Sequence, residues 1–449
     1  MIIEQIYTGC LAQGAYYIES NGEAAIIDPL REIKPYLDRA ERSGASIKAI
    51  FETHFHADFV SGHLDLSKAT GAPIIFGPNA NPEFPHHAGT DGETFKIGNL
   101  TIELLHTPGH TLESTTYLLR DEKNAPYCIF SGDTLFIGDV GRPDLAAKSH
   151  LSKEDLAGLL YDSLRNKIMP LPNEVIVYPA HGAGSACGKN MSKETFDTLG
   201  HQKEVNYALR ANMTKTEFIA EVTDGLAPPP AYFPMNVMMN KTGYDGIEEV
   251  IHRGMLPLIP SEFELLVNES NALVLDTRSA DEFAQAHIPN SIFIGIDGSF
   301  APWVGTLITD IKQKIVIVAP EGREGEVVTR LARVGYDYAL GYLKGGISAW
   351  VKDGKAVETV QRLQPEQLKK ETTQDPESIV LDVRKPGEHQ AEHLLNVQHL
   401  ALDTINENMA ELNREQRYLI HCAGGYRSMI FASILKSRGF ENIADVIGG

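Results

Sequence analysis

Apolar and polar positions in the first two hundred residues fall into short β-branched runs: AAIID at 24–28, IKAIFETH at 47–54, LTIELLHTPGH at 100–110 and YCIFSGD at 127–133. Runs of this length, closed by turn signals, predict strands. Each ends in polar, ligating residues, as in a β-rich sandwich flanked by helices that presents a site along one edge. Helical periodicity follows near 150–168 and 192–221, and DGLAPPPAYFP at 224–234 then breaks it with four prolines. A first domain over 1–235 is expected.

The remainder repeats itself. LDTRSADEFAQAHIPNSIFI, from Leu275, aligns without gaps on LDVRKPGEHQAEHLLNVQHL, from Leu381. Leu, Asp, Arg, Glu, His and Asn recur at 275, 276, 278, 282, 287 and 290 and again 106 positions later. That period is too long for a solenoid and predicts a duplicated α/β domain, at 236–358 and 359–449. Each copy continues with a buried-strand run (IVIVA at 315–319, YLIHC at 418–422), a Gly-containing loop and an apolar-periodic helix. Strand, loop and helix in that order aim backbone amides at an anion. The second copy stops at Gly448-Gly449 where the first runs on past Gly345-Gly346, so a C-terminal truncation is expected.

Composition narrows the function. With 43% apolar and 22% charged residues the chain reads as globular, and a net charge of -20 argues against nucleic acid or anionic membrane as partner. The N-terminus lacks a signal-peptide pattern and no run of 18 apolar residues occurs, which points to a cytoplasmic protein. Oligomeric state stays open, a homo-oligomer included. The four cysteines, Cys10, Cys128, Cys187 and Cys422, form no CxxC pair, so each thiol is either buried or chemically employed. Cys10 and Cys128 sit in apolar contexts that read as core.

Candidate chemistry concentrates at the strand ends. Thr53-His54-Phe55-His56-Ala57-Asp58-Phe59 sets two imidazoles and a carboxylate at alternate positions. His106-Thr107-Pro108-Gly109-His110, Ser131-Gly132-Asp133-Thr134 and Tyr178-Pro179-Ala180-His181-Gly182 follow other apolar runs. One histidine alone is more often a surface or hydrogen-bonded residue. Four strand-end motifs of one kind point to a metal centre.

These motifs resemble the metallo-β-lactamase fold, an αββα sandwich, over roughly residues 1–220. There HxHxDH, TPGHT, SGD and a late histidine surround one or two metals. Phe59 stands where the last histidine of the first motif belongs, which weakens the second metal position and favours a mononuclear site. Within that superfamily the sequence looks most like the persulfide dioxygenases. The resemblance implies one Fe(II) per chain held by His54, His110 and Asp133, with His56, Asp58 and His181 orienting ligands or contacting the metal. It implies low-molecular-weight persulfides, of a thiol or inorganic polysulfide, and O2 as substrates, with sulfite as product. Arg142, in the loop Phe136 to Asp144, is expected either to hold an anionic group or to pair with Asp144. Cys187 is a candidate channel thiol, with inert packing among small residues the favoured reading.

His421-Cys422-Ala423-Gly424-Gly425-Tyr426-Arg427-Ser428 leads from a strand into a helix. A cysteine there faces loop amides and the positive end of a helix, which favour an anionic sulfur. With LDVR upstream, the segment resembles a rhodanese domain. The match implies Cys422 as sulfur carrier, with Gly424, Gly425, Arg427 and Ser428 forming the loop that binds sulfur or an anion. The first copy resembles the same fold but reads Val318-Ala319-Pro320-Glu321-Gly322-Arg323-Glu324. Cys422 aligns with Val318 or Ala319, so a spacer or docking domain is expected. The whole chain thus looks like a persulfide dioxygenase–sulfurtransferase fusion that forms thiosulfate from sulfite. The rival readings are a zinc-dependent glyoxalase II-type thioester hydrolase fused to sulfur-transfer domains, and a noncatalytic sulfur relay or sensor.

Overall fold

The computed structural model describes residues 1–147 and 151–449; position 150, where the sequence begins its first helical pattern, lies outside them. The chain forms two compact units: Met1–Ile247 with Arg333–Gly335, and Glu248–Ala332 with Tyr336–Gly449. Among the described residues no helix is long and apolar enough to cross a membrane.

Two six-stranded sheets build the first unit. In spatial order one runs Ile2–Thr8, Gln13–Ser20, Glu23–Ile27, Ser46–Phe51, Ile74–Phe76, His87–Ala88, and the other Asp197–Thr198, Ile176–Pro179, Pro126–Gly132, Thr115–Arg120, Leu100–His106, Thr94–Ile97. Alternation along Gln13–Ser20 sends Tyr16 and Ile18 into a core that also contains Tyr117, Cys128 and Phe130 of the other sheet. Its opposite face packs Ala15 and Tyr17 with Tyr36 and Ala40 of the helix Lys34–Ser43 and Leu66 of His63–Thr70. Helices Lys153–Ser163 and Lys215–Thr223 cover the second sheet through Leu160 and Phe218. The result is the expected αββα sandwich.

The sequence ends this domain at 235, yet the helix Phe233–Thr242 belongs to the first unit. Its Asn240 Nδ2 donates to His56 O and Phe59 O, both at 2.8 Å, and its Oδ1 accepts from Ser61 N at 2.8 Å. The proline segment therefore leads into a helix that braces the first histidine motif.

The second unit contains two five-stranded parallel sheets of matching order. One runs Pro257–Leu258, Ala339–Leu343, Ile315–Val318, Leu273–Asp276, Ile292–Phe293; the other Gln361–Leu363, Ile443–Val446, Tyr418–His421, Ile379–Asp382, Gln398–His399. The repeated LDxR has a physical reason. Arg278 bonds the Asp276 carboxylate at 2.5 Å and Ala286 O at 2.8 Å, while Arg384 bonds Asp382 at 2.7 Å and Glu392 O at 2.7 Å. Each arginine ties a strand end to the carbonyl at a helix end.

Candidate metal centre and sulfur loop

Three of the four first-domain strand runs end just ahead of Asp28, His54 and Asp133, and the buried loop after Leu100–His106 supplies His110. Asp28, with φ 50°, accepts from Thr53 N at 2.8 Å and Thr53 Oγ1 at 2.9 Å. With that hydroxyl committed, Thr53 Oγ1 accepts from His54 Nδ1 at 2.9 Å, which leaves the His54 Nε2 lone pair bare. His110 Nδ1 donates to Arg142 O at 2.8 Å, so its Nε2 is bare as well. The two Nε2 atoms lie 3.6 Å and 3.4 Å from Asp133 Oδ2, a buried oxygen with no hydrogen-bond partner. Close approach needs Gly132, since a Cβ there would meet Thr53 at 2.7 Å.

Three acceptors facing one another without a donor repel unless a cation sits among them. Ligand atoms each about 2.1 Å from one ion stand roughly 3 to 3.5 Å apart, so the set fits a metal. Charge states agree. Burial, reinforced by His56, keeps the His54 imidazole neutral far below its ordinary range. Burial alone would raise Asp133, but His181, itself raised and bonded through Nδ1 to Asp133 Oδ1, overcomes it and holds the carboxylate ionised.

A second set converges beside the first. His56, Asp58 and His181 each offer a ligand atom within 4.8 Å of the others. His181 Nδ1 bonds Asp133 Oδ1 at 2.7 Å; its Nε2 lies 2.9 Å from Asp58 Oδ2 without hydrogen-bond alignment. Phe59 is fully buried and its ring packs on His56 at 4.3 Å. His56 Nε2 lies 3.1 Å from Asp28 Oδ1 and 3.7 Å from Glu52 Oε2. Asp28, Glu52 and Asn240 are supports that sequence reasoning missed; the local signals were the aspartate closing AAIID and the glutamate of IKAIFETH.

Arg142 is committed. Its guanidinium binds Asp144 at 2.8 and 2.6 Å, Ala186 O at 3.2 Å and Ala227 O at 2.5 Å, so of the two expected roles the pair with Asp144 is the one formed. Cys187 is buried within 4.8 Å of Asp133 and His181, and burial, with Asp58 and Asp133, pushes its thiol well up.

In the second unit Cys422 follows the strand Tyr418–His421, and its Sγ accepts from Gly425 N at 3.2 Å and Gly424 N at 3.5 Å. Gly425, at φ 80°, begins the helix Tyr426–Ser437. The thiol reaches Ser428 Oγ at 3.6 Å, and Arg427 makes a two-point pair with Glu388 at 2.6 and 2.8 Å. Strand pairing decides the twin position: Asp382 pairs His421 and Asp276 pairs Val318, so Cys422 corresponds to Ala319.

Comparison with known proteins agrees with this division. The model of the Metallo-beta-lactamase superfamily matches residues 8–181, and that of the Rhodanese-like domain matches 259–353 and 364–449. A probable hydroxyacylglutathione hydrolase of Schizosaccharomyces pombe is 33% identical over 168 residues, 36% of this chain and 60% of that protein. The mitochondrial persulfide dioxygenase of Homo sapiens is 31% identical over 161 residues, 35% of this chain and 59% of that protein. The chain thus spans about three fifths of both relatives. A crystal structure of a metallo-beta-lactamase from Staphylococcus aureus superposes with a TM-score of 0.66 at 30% identity, covering 77% of this chain and 98% of that one.

Proposed function

The chain belongs to the metallo-beta-lactamase superfamily and carries two rhodanese-like domains, and from that premise we propose that it is a non-haem Fe(II) persulfide dioxygenase coupled to a sulfurtransferase. One observation carries the reading: two bare imidazole nitrogens and one bare carboxylate oxygen, from His54, His110 and Asp133, face a common point. Two histidines and a carboxylate are the donor set of non-haem Fe(II) oxygenases. When bound, iron supplies the redox chemistry by which one persulfide, one O2 and one water become one thiol, one sulfite and two protons.

The chain's own residues prepare that chemistry. Thr53 and the Arg142 carbonyl fix the tautomers of His54 and His110, and His181 holds the other oxygen of Asp133. At the second centre, sulfite attacks the outer sulfur of a Cys422 persulfide anion. The new S–S bond makes thiosulfate, the old one breaks, and Cys422 leaves as thiolate. Charge and electrons balance without another reagent. Gly424 and Gly425 amides donate to the sulfur throughout.

The test is to supply iron-loaded protein with persulfide and O2 and to quantify sulfite and thiosulfate. Cys422→Ser should lower thiosulfate formation at least about 100-fold and leave O2 uptake intact, and Ala319→Cys should add nothing. Full oxygen uptake by a metal-free preparation overturns the dioxygenase reading. A zinc-dependent hydrolase is the second reading, favoured by convergence of His56, Asp58 and His181. It requires two zincs per chain and thioester cleavage without O2.

A further inference from the structure

The glutamate of the repeated motif is bonded differently in the two rhodanese-like copies. In the first, Glu282 closes a capping box: its Oε2 accepts from Ser279 N at 3.0 Å and from Ser279 Oγ at 2.6 Å. In the second, Lys385 stands in place of that serine, and its backbone N donates to Glu388 Oε2 at 3.2 Å. With no serine hydroxyl to accept from, the carboxylate reaches the sulfur loop, where Oε2 and Oε1 accept from Arg427 Nη1 at 2.6 Å and Nη2 at 2.8 Å. Arg323, the arginine of the thiol-free loop, pairs instead with Asp297 and Glu326.

Arg427 lies in the first turn of the helix Tyr426–Ser437, between Gly425, whose N donates to Cys422 Sγ at 3.2 Å, and Ser428, whose Oγ stands 3.6 Å from that sulfur. Two other arginines border the loop. Arg384 follows Val383, whose N donates to His421 O at 3.0 Å, and Arg362 Nη2 lies 3.7 Å from the point a Cβ on Gly425 would occupy. Each is bound to a carboxylate that water does not reach: Arg384 to Asp382 at 2.7 Å and Arg362, which also meets Asp281, to Asp445 at 2.8 Å, both of these aspartates 0% exposed. The Glu388 side chain is 38% exposed.

That difference decides which pair can open. Baring a buried carboxylate strands a charge away from water, which costs far more than separating a partly exposed pair. We infer that Glu388 and Arg427 form an exchangeable pair: sulfite takes the place of the Glu388 carboxylate on Arg427, and Glu388 swings out into water. This rests on the reading of Cys422 as the sulfur carrier. Glu388 thereby sets which acceptor discharges the persulfide. An oxyanion fits the two-point N–H fork that the carboxylate vacates, whereas a neutral thiol gains nothing from it. A net charge of -20 repels anions at long range, so sulfite needs such a local fork.

Glu388 is a positioning residue. The bond from Arg427 holds its carboxyl below the usual carboxylate range, so sulfite displaces one anion with another. With sulfite as acceptor, its sulfur attacks the outer sulfur of the Cys422 persulfide anion. One S–S bond forms, one breaks, thiosulfate leaves and Cys422 remains as thiolate. With a thiol RSH the same bond breaks, the new bond and the thiol's proton give RSSH, and Cys422 again remains as thiolate. Neither route needs an outside oxidant.

The test loads Cys422 of the full chain with inorganic polysulfide, removes the excess, and discharges it without oxygen by sulfite or by 2-mercaptoethanol, a neutral thiol. Mass spectrometry of the Cys422 peptide gives the rate with each acceptor as its concentration is varied. Glu388→Gln keeps an acceptor for the helix cap. It should lower the sulfite concentration at half-maximal rate about 3- to 5-fold, the worth of a partly exposed ion pair, and raise the preference for sulfite over thiol accordingly. Arg427→Gln should raise that concentration at least about 10-fold, and adding Glu388→Gln to it should then change nothing further. Should Arg427→Gln fail to fold, the sign of the Glu388→Gln effect decides alone. Slower discharge by both acceptors in Glu388→Gln makes Glu388 a brace of the loop and overturns the exchange, as does an unchanged preference; thiosulfate formed in either case leaves the sulfur-carrier reading standing. If sulfite discharges no wild-type Cys422 persulfide, that reading falls and the exchange with it.

Discussion

In the first rhodanese-like copy Phe283 stacks on His287 at 4.0 Å and packs against Phe293 at 5.4 Å, all three buried. The second copy holds His389, His393 and His399 at those positions, His389 stacked on each of the others at 4.3 Å. One hydrogen bond is common: His287 Nδ1 to Phe283 O at 2.9 Å, and His393 Nδ1 to His389 O at 2.8 Å. Cover is what differs. Ser433, on the helix Tyr426–Ser437, accepts from Phe293 N at 3.0 Å, and the Tyr426 ring lies 6.1 Å from Phe293. The second copy lends its sulfur-loop helix to the first as a lid, while its own edge strand, Gln398–His399, remains half-buried. Two of the three matched positions are apolar where water is excluded and polar where it reaches, while His287 and His393 keep the imidazole in both.

The largest break in that symmetry should come from exchanging the stacks. Phe283→His removes apolar burial and sets an imidazole in a dry pocket, for an expected loss of about 2–4 kcal/mol. His389→Phe loses a 3.0 Å bond to Asp382 but adds apolar surface, so a change within about 1 kcal/mol is expected. Hydrogen exchange in the strands Leu273–Asp276 and Ile379–Asp382 reads the copies separately. Equal losses in both would show that cover does not set the chemistry of the stack.

Much of this was legible in the sequence because it is local. Strand-end motifs singled out His54, His110 and Asp133, whose ligand atoms converge in the fold, and a gapless repeat foretold two matching sheets. Supports that come from elsewhere in the chain were not. Asn240 braces the His56 to Ser61 segment from beyond a proline-rich stretch where periodicity fails, so the domain ended too early on paper. Loops of unequal length shift the repeat's offset, which hid the match of Arg362 and Asp445 to Pro257 and Tyr342. The fate of Arg142 needed the placement of Ala186 and Ala227, distant carbonyls with no side-chain signal.

A smaller effect should follow from the contact by which the thiol-free copy touches the sulfur loop. Tyr426 donates to Gly295 O at 2.7 Å, and a Cβ on Gly298 would stand 2.2–2.6 Å from the Tyr426 ring. Gly298→Ala must displace that ring, for roughly 1–2 kcal/mol, and Tyr426→Phe removes only the bond, for about 1 kcal/mol or less. Faster hydrogen exchange at residues 424–428 in Gly298→Ala than in Tyr426→Phe checks the order. No change in either would make the first copy a passive spacer.

The smallest expected effect sets the twin aspartates against each other. Burial raises Asp276 despite the Arg278 bonds. At Asp382 burial pulls the same way, but the bonds from Arg384 and His389 win and the carboxyl is depressed. For Asp382, with its folded value below the unfolded one of about 3.9, the stabilisation is full above that value and is lost as pH falls toward the folded one. For Asp276 the sign reverses. The folded state holds its proton longer, so stability declines as pH rises from about 3.9 through the folded value. Between pH 5 and 3 protection of Leu273–Asp276 should therefore gain relative to Ile379–Asp382, and Asp276→Asn should flatten the first copy's share of that shift. Parallel behaviour of the two strands over this range would mean that the His389 and Arg384 bonds do not distinguish the copies.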